Sequence, residues 1–215
     1  MPVWKHSHIY HMTDASNWTS IQQRGLLSTS RLLNLAGLAR AERYDLERRQ
    51  RLQARRLPNG AVIRDQLPIS PAALSVCLAS GLVPEDWYLE LNSRVFFWLD
   101  RRRLNRQRHA CDFSPQLVLT VDAHHLLSSY VRQIALTPFN TGNARRRPAR
   151  RGRETFVPFD KWQESGWSWE AAALRTPLRP SSHPPVELAI ADAVEDVLDF
   201  VVDVRRLDPG EYFLL

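Results

Sequence analysis

The residue in this sequence best placed to do chemistry is a glutamate set in an apolar strand, PPVELAIAD. Side chains alternate along a strand, so Val186, Leu188 and Ile190 share one face while Glu187 and Ala189 share the other. A carboxylate beside a small residue has room for a ligand. It equally suits an edge strand whose outer face is wet. Near the other end of the chain, HIYHMTDASNW carries a second candidate, His11, with Thr13 two places on. A neutral imidazole donates from one nitrogen and accepts at the other, so His11 could orient a ribose hydroxyl or a carboxamide. The alternative is a core histidine bonded to backbone, with Thr13 capping a helix.

Cations follow the same two-sided logic. Arg64 in IRDQLP lies between Ile63 and Leu67, from where its guanidinium could grip a pyrophosphate or pair with Asp65. Asn92 and Arg94 precede RVFFWLD, whose rings could stack on a base or a nicotinamide or fill the core. Alternation puts Phe96 and Trp98 on one face and Phe97 on the other, so only part of the set can reach a ligand. In FNTGNARRRPARRGRETF, Asn140, Thr141 and Gly142 suit an anion-receiving turn. Six arginines follow, Arg145, Arg146, Arg147, Arg150, Arg151 and Arg153, a density that favours phosphate contact over a merely solvated surface.

The elements that must position these residues are coded locally. Residues 8–12 read as a strand, followed by a helix through Gln23 with Thr13, Asp14 or Ser16 as its cap and Gly25 as a left-handed stop. Residues 31–56 have helical periodicity, ending at Pro58-Asn59-Gly60. Pro71 opens a helix that Gly81 closes, PEDWYLELNS is another, and RVFFWLD is the strongest strand. QLVLTVDA forms a further strand, AHHLLSSY a helix, and 137–156 a loop. PVELAIA and DFVVDVRRL are two closing strands. Helices between the early strands and clustered strands late predict one α+β domain over 1–215, a sandwich of curved sheets with flanking helices.

Composition bounds the partners. The chain has 215 residues, 44% of them hydrophobic, and a net charge of +6, carried mainly by arginine, which suits phosphate or acidic partners. No apolar run approaches the roughly 18–20 residues of a membrane span, and the N-terminus lacks the apolar core of a secretory signal, so a cytoplasmic protein is expected. Two cysteines without CxxC spacing fit a reducing compartment and argue against a zinc site. There is no Walker loop, GxSxG elbow, HExxH or GxGxxG after a strand.

Taken together, IYHMTDASNWTSIQQRGLLS, IRDQLP, LNSRVFFWLD, FNTGNA with RGRETF, and VELAI resemble the bacterial DUF7002 family over most of the chain. The opening and the late glutamate also resemble the DarT-like (DUF4433) group of ADP-ribosyltransferases in short motifs. That resemblance implies an ADP-ribosyltransferase-like fold and NAD as cofactor. It implies that His11 and Thr13 contact NAD, that Asn17 shapes the same pocket, that Arg64 positions the cofactor, and that Glu187 is the catalytic acid. The tyrosine of the superfamily's His-Tyr-Glu triad has no equivalent here.

The combined reading is an NAD-dependent ADP-ribosyltransferase. Glu187, Arg64 and His11 are its catalytic set, and Thr13, Asn17, Asn92 and Phe97 complete the cofactor site. Asn140, Thr141 and the arginine run face a nucleic-acid acceptor, and no metal takes part. His11 and Glu187 are expected to meet on adjacent central strands. By resemblance, the role would be that of a toxin or phage-defence effector with an antitoxin or immunity protein as partner. Two other classes fit the residues: a non-catalytic module that binds nucleic acid or nucleotides, and an NAD-using RNA 2′-phosphotransferase-like enzyme.

Overall fold

The structure, a computed structural model, describes residues 2–111, 113–145 and 147–214. Strand β1 (His8–Asp14) runs through a short 3-10 turn, capped by the Asp14 carboxylate, into α1 (Trp18–Arg24) and β2 (Leu26–Leu27). The helical periodicity of 31–56 resolves into α2 (Thr29–Leu35) and α3 (Arg40–Arg48). Gly37, at φ +64°, breaks it. A ribbon of β3 (Arg55–Arg56) and β4 (Val62–Ile63) then turns at Pro58-Asn59-Gly60.

Helix α4 (Pro71–Ser75) is shorter than the Pro71-to-Gly81 span suggests, because residues 77–79 leave it to bond with Arg151. α5 (Pro84–Asn92), β5 (Arg94–Trp98), α6 (Arg101–Ala110), β6 (Gln116–Asp122) and α7 (Ala123–Tyr130) follow. The segment after them holds β7 (Ile134–Thr137), β8 (Val157–Pro158), α8 (Phe159–Ser165) and α9 (Ser168–Leu174). The chain closes with β9 (Glu187–Ala191), β10 (Ala193–Val194) and β11 (Val201–Leu207).

Seven strands form one antiparallel sheet, in the order β11-β6-β1-β5-β9-β7-β8. A single register pair, Tyr10 with Trp98, joins the β11-β6-β1 half to the β5-β9-β7-β8 half. The α+β class with flanking helices is therefore as expected, with the two halves of the sheet joined edge to edge at β1 and β5.

One face of the sheet is covered continuously. Ile9, Val95, Phe97, Leu119, Leu136, Leu188 and Ile190 pack there with side chains from α1, α7 and α8. The opposite face is covered in two pieces. Tyr10, Met12, Val118 and Leu207 pack against Leu104 of α6 and Phe213, whereas Ala189 packs with Leu74 of α4, Trp87 and Tyr88 of α5, and Phe156. The seam between these two clusters is where Trp98 and Glu187 lie as register partners. Burial of either cluster follows from alternation, since the same strands feed the continuous core with their other side chains.

Candidate active site

Glu187 is the first residue of β9, paired with Trp98 on β5 and with Thr137 on β7. Directly opposed residues on antiparallel strands put their side chains on the same face, so the sheet itself sets the Thr137 hydroxyl beside the carboxylate. After Pro138 the chain folds back, and Thr141 arrives on the same oxygen. Glu187 Oε2 accepts from Thr137 Oγ1 at 3.0 Å, from the Thr141 N–H at 3.0 Å and from Thr141 Oγ1 at 2.8 Å. All three bonds go to Oε2, leaving the lone pairs of Oε1 uncommitted among the described residues.

The side chain is 5% exposed, and burial pushes its carboxyl above the ordinary carboxylate range. The Thr141 and Thr137 donors and the Arg151 charge oppose that rise. Desolvating a carboxylate costs several kcal/mol, and each hydrogen bond to a charged group offsets about 1.5–3 kcal/mol. The balance leaves a carboxyl that can exchange a proton nearer neutrality than a surface glutamate would. The Thr137 hydroxyl, with one proton, lies 2.9 Å from the Phe139 carbonyl as well. It can therefore donate to an ionised Glu187, or turn to Phe139 and accept from a protonated one.

Arg151 locks the loop that carries Thr141. The structure removes it from the acceptor set: it is 1% exposed, and its guanidinium donates to the carbonyls of Ala149 at 3.1 Å, Thr141 at 3.3 Å and Asn143 at 3.1 Å. It also lies over the rings of Trp87 and Phe139. Thr141, likewise assigned to an acceptor, is buried and faces Glu187. Asn140 is half-buried at the turn. Arg145, Arg147 and Arg150 are exposed and without an ion pair among the described residues, while Arg153 pairs with Glu90 at 3.2 Å. Arg146 lies outside the described residues.

His11 does not meet Glu187. β5 lies between their strands, and His11 shares its face with Ile9, its ring set edge-on to Phe97 at 5.7 Å, whereas Glu187 is on the other face. Its Nδ1 lies 2.8 Å from the Phe96 carbonyl. A carbonyl only accepts, so Nδ1 carries the proton and Nε2 is left as an acceptor. Burial lowers its pKa, which keeps the ring neutral. His11 thus bolts β1 to β5 where the two sheet halves part.

Four further expectations change. Phe97 is 1% exposed within the continuous core, so the rings facing the seam are those of Phe96 and Trp98. Asn92 is buried under α3, giving Nδ2–H to Glu47 O and accepting from Arg51. Asn17 spends its amide on Thr13 Oγ1 and on both backbone groups of Val62. Thr13 is the acceptor of that first bond. Thr13 and Asn17 therefore fix β4, two residues before Arg64, rather than a ligand.

Arg64 does not pair with Asp65, whose carboxylate accepts from the Leu67 N–H. Its NH2 donates to Cys111 Sγ, and its NH1 is buried with no acceptor among the described residues. Cys111 packs with Tyr10, Met12 and Val118, which places the Arg64 guanidinium on the same sheet face as Glu187. Burial raises the Cys111 thiol pKa, opposed by Arg64, so sulfur is a weak neutral partner for this cation. A half-buried guanidinium with an unspent donor fits an anionic ligand.

A family described as of unknown function, DUF7002, matches residues 7–201. The chain belongs to the DUF7002 family. No curated protein matches this DUF7002 chain. Among solved structures it is similar to Thermus sp. 2.9 DarT in complex with ADP-ribosylated ssDNA, at 12% identity, over 91% of this chain and 79% of that one, with a TM-score of 0.37. No helix among the described residues is long and apolar enough to cross a membrane.

Proposed function

We propose that this DUF7002 protein is an NAD-dependent ADP-ribosyltransferase with a nucleic-acid acceptor. The observation that carries the reading is Glu187: a carboxylate sequestered at the seam of the sheet face, clamped through Oε2, with Oε1 uncommitted. NAD supplies the ADP-ribose and leaves as nicotinamide. Glu187 Oε1 would face the positive charge that develops on the ribose, or take the proton of the attacking acceptor. Arg64 would turn its guanidinium, whose NH1 has no acceptor among the described residues, to the pyrophosphate, and Trp98 and Phe96 offer the flat surfaces at the seam. The motif around Glu187, which resembles that of DarT-like enzymes, supports the same assignment.

The acceptor follows from charge. Arg145, Arg147 and Arg150 stand unpaired on the loop whose inner end touches Glu187, so phosphates bound there would lie beside the reacting carboxylate. A 2′-phosphotransferase-like reaction needs several arginines at the pocket, to come from Arg64, Arg94 and the loop; Arg94 pairs with Glu90 and Arg151 is spent on backbone carbonyls. A binding module without catalysis is favoured by the exposed arginines, but it leaves the uncommitted Oε1 of Glu187 without a part to play.

The test is incubation with labelled NAD, with and without single-stranded DNA, RNA and total cell protein, for the wild type and Glu187→Gln. Label transfer or nicotinamide release that disappears in the variant is the expected result. Undiminished turnover in Glu187→Gln would end the catalytic assignment. Absence of both NAD binding and turnover would leave the binding module.

A further inference from the structure

Helix α6 carries five arginines and no carboxylate in RRRLNRQRHA. Arg101, Arg102 and Arg103 occupy its first turn, where the helix dipole disfavours cations. Asp100, the N-cap, pairs with Arg103, and Arg101 donates to the Tyr10 hydroxyl at 2.9 Å while lying against the rings of Tyr10 and Phe213. Arg102 and Arg106 are left exposed, four residues apart on one helix face, with no ion pair or hydrogen bond among the described residues. Like charges at this spacing cost a helix roughly 0.2–0.5 kcal/mol. Together with Asp100 these arginines line an open depression of about 620 Å³.

Position gives the patch its meaning. α6 begins three residues after Trp98, the register partner of Glu187, and Gln107 of the same helix accepts from the Trp98 indole N–H. Arg151 and Arg153 pack on the other side of the seam, the Arg151 N–H to Cys77 O just after α4 and Arg153 to Glu90 of α5. Glu187 thus lies between the strand end that leads into α6 and the segment that carries Arg151 and Arg153. We propose that Arg102 and Arg106 bind the sugar–phosphate backbone of a single-stranded nucleic acid on the far side of the reacting position from the 145–153 loop.

This inference rests on the nucleic-acid acceptor assigned above. A single strand is specified because Glu187 is buried, and a base reaches such a group only out of a stack. A separate groove of about 660 Å³ includes Trp4, His6, Trp167, Arg179 and His183. Aromatic and cationic side chains together are the usual lining of single-strand channels.

The experiment measures fluorescence anisotropy of a labelled single-stranded oligonucleotide across a salt series, for the wild type, Arg102→Gln/Arg106→Gln, and Arg145→Gln/Arg147→Gln/Arg150→Gln, with NAD consumption without acceptor followed in parallel. Loss of two phosphate contacts lowers the slope of log K against log salt by about 1.4. The α6 double variant is expected to show that drop and about 25-fold weaker binding near 0.1 M salt, with acceptor-free NAD consumption unchanged. Wild-type slope and affinity in the α6 variant would overturn the proposal, as would a duplex of equal length binding more tightly than the single strand. Wild-type protein that consumes NAD through Glu187 but binds no nucleic acid would overturn it and leave the catalytic reading standing. Binding lost as expected, in a protein that never turns over NAD, would support the α6 surface and remove the enzyme.

Discussion

Thr141 donates twice to one oxygen of Glu187, from its backbone N–H at 3.0 Å and from its hydroxyl at 2.8 Å. The clamp favours the ionised carboxylate that burial disfavours. Thr141→Val removes the hydroxyl and keeps the N–H, so the Glu187 pKa should rise further and stability at neutral pH should fall by roughly 1.5–3 kcal/mol. Thr141→Ser should restore both. Urea unfolding at neutral and acid pH checks this: equal stability of wild type and Thr141→Val at neutral pH would mean the clamp does not hold a charge.

Glu187 also ties stability to pH with a definite sign. Its folded pKa lies above the unfolded value because of burial. Between the two values the native state binds more protons, so stability is greatest below the unfolded pKa and is lost as pH rises through the folded one. Glu187→Gln cannot ionise and should flatten that part of the profile, becoming at least as stable as wild type on its alkaline side. NAD consumption in the wild type should rise over the same interval as the carboxylate forms. A Glu187→Gln profile that falls as steeply as the wild type would assign the pH dependence to another group.

Much of this arrangement was legible from alternation alone. VELAI put Glu187 and Ala189 on the face opposite Leu188 and Ile190, and RVFFW separated Phe97 from Phe96 and Trp98, as found. Periodicity names faces but not neighbours. It therefore could not show that β5 separates β1 from β9, nor that the register Tyr10–Trp98–Glu187 puts His11 and Glu187 on opposite faces. Nor could the arginine run reveal that Arg151 is buried while Arg145, Arg147 and Arg150 are exposed, because that depends on three carbonyls brought together by the loop itself. Thr137 went unmarked for the same reason. Its only local signal is a threonine ending an apolar strand ahead of Pro138, and its partner is fifty residues away.

Arg151 makes the loop and the carboxylate one unit. Arg151→Met keeps most of the volume over Trp87 and Phe139 but leaves the carbonyls of Ala149, Thr141 and Asn143 without this donor, a loss on the order of 3 kcal/mol. Limited proteolysis should then cut within 138–150 faster than in the wild type, and the Glu187-dependent activity should fall with it. Unchanged cleavage rates in that segment would show that the β7 and β8 ends hold the loop without the guanidinium.

Gly25 offers the sharpest test of the frame around the site. A left-handed helix stop was expected there, but at φ +71° and ψ −161° the residue occupies a region that essentially only glycine visits. The reason is a close approach: a Cβ at Gly25 would sit 2.3 Å from the carbonyl oxygens of both Glu195 and Val194. Gly81, at φ +85°, has a positive φ but nothing within 4 Å of an added Cβ. Gly81→Ala should therefore cost only the backbone penalty, roughly 1–2 kcal/mol, whereas Gly25→Ala should cost at least about 3 kcal/mol. The excess measures how tightly the β2–β10 ribbon ties the β1–α1 unit to the end of β9, since Ser28 N–H also bonds the Asp192 carbonyl at 2.8 Å. Equal losses in thermal or urea unfolding would mean that the ribbon opens easily and that some other contact fixes β9, and with it Glu187.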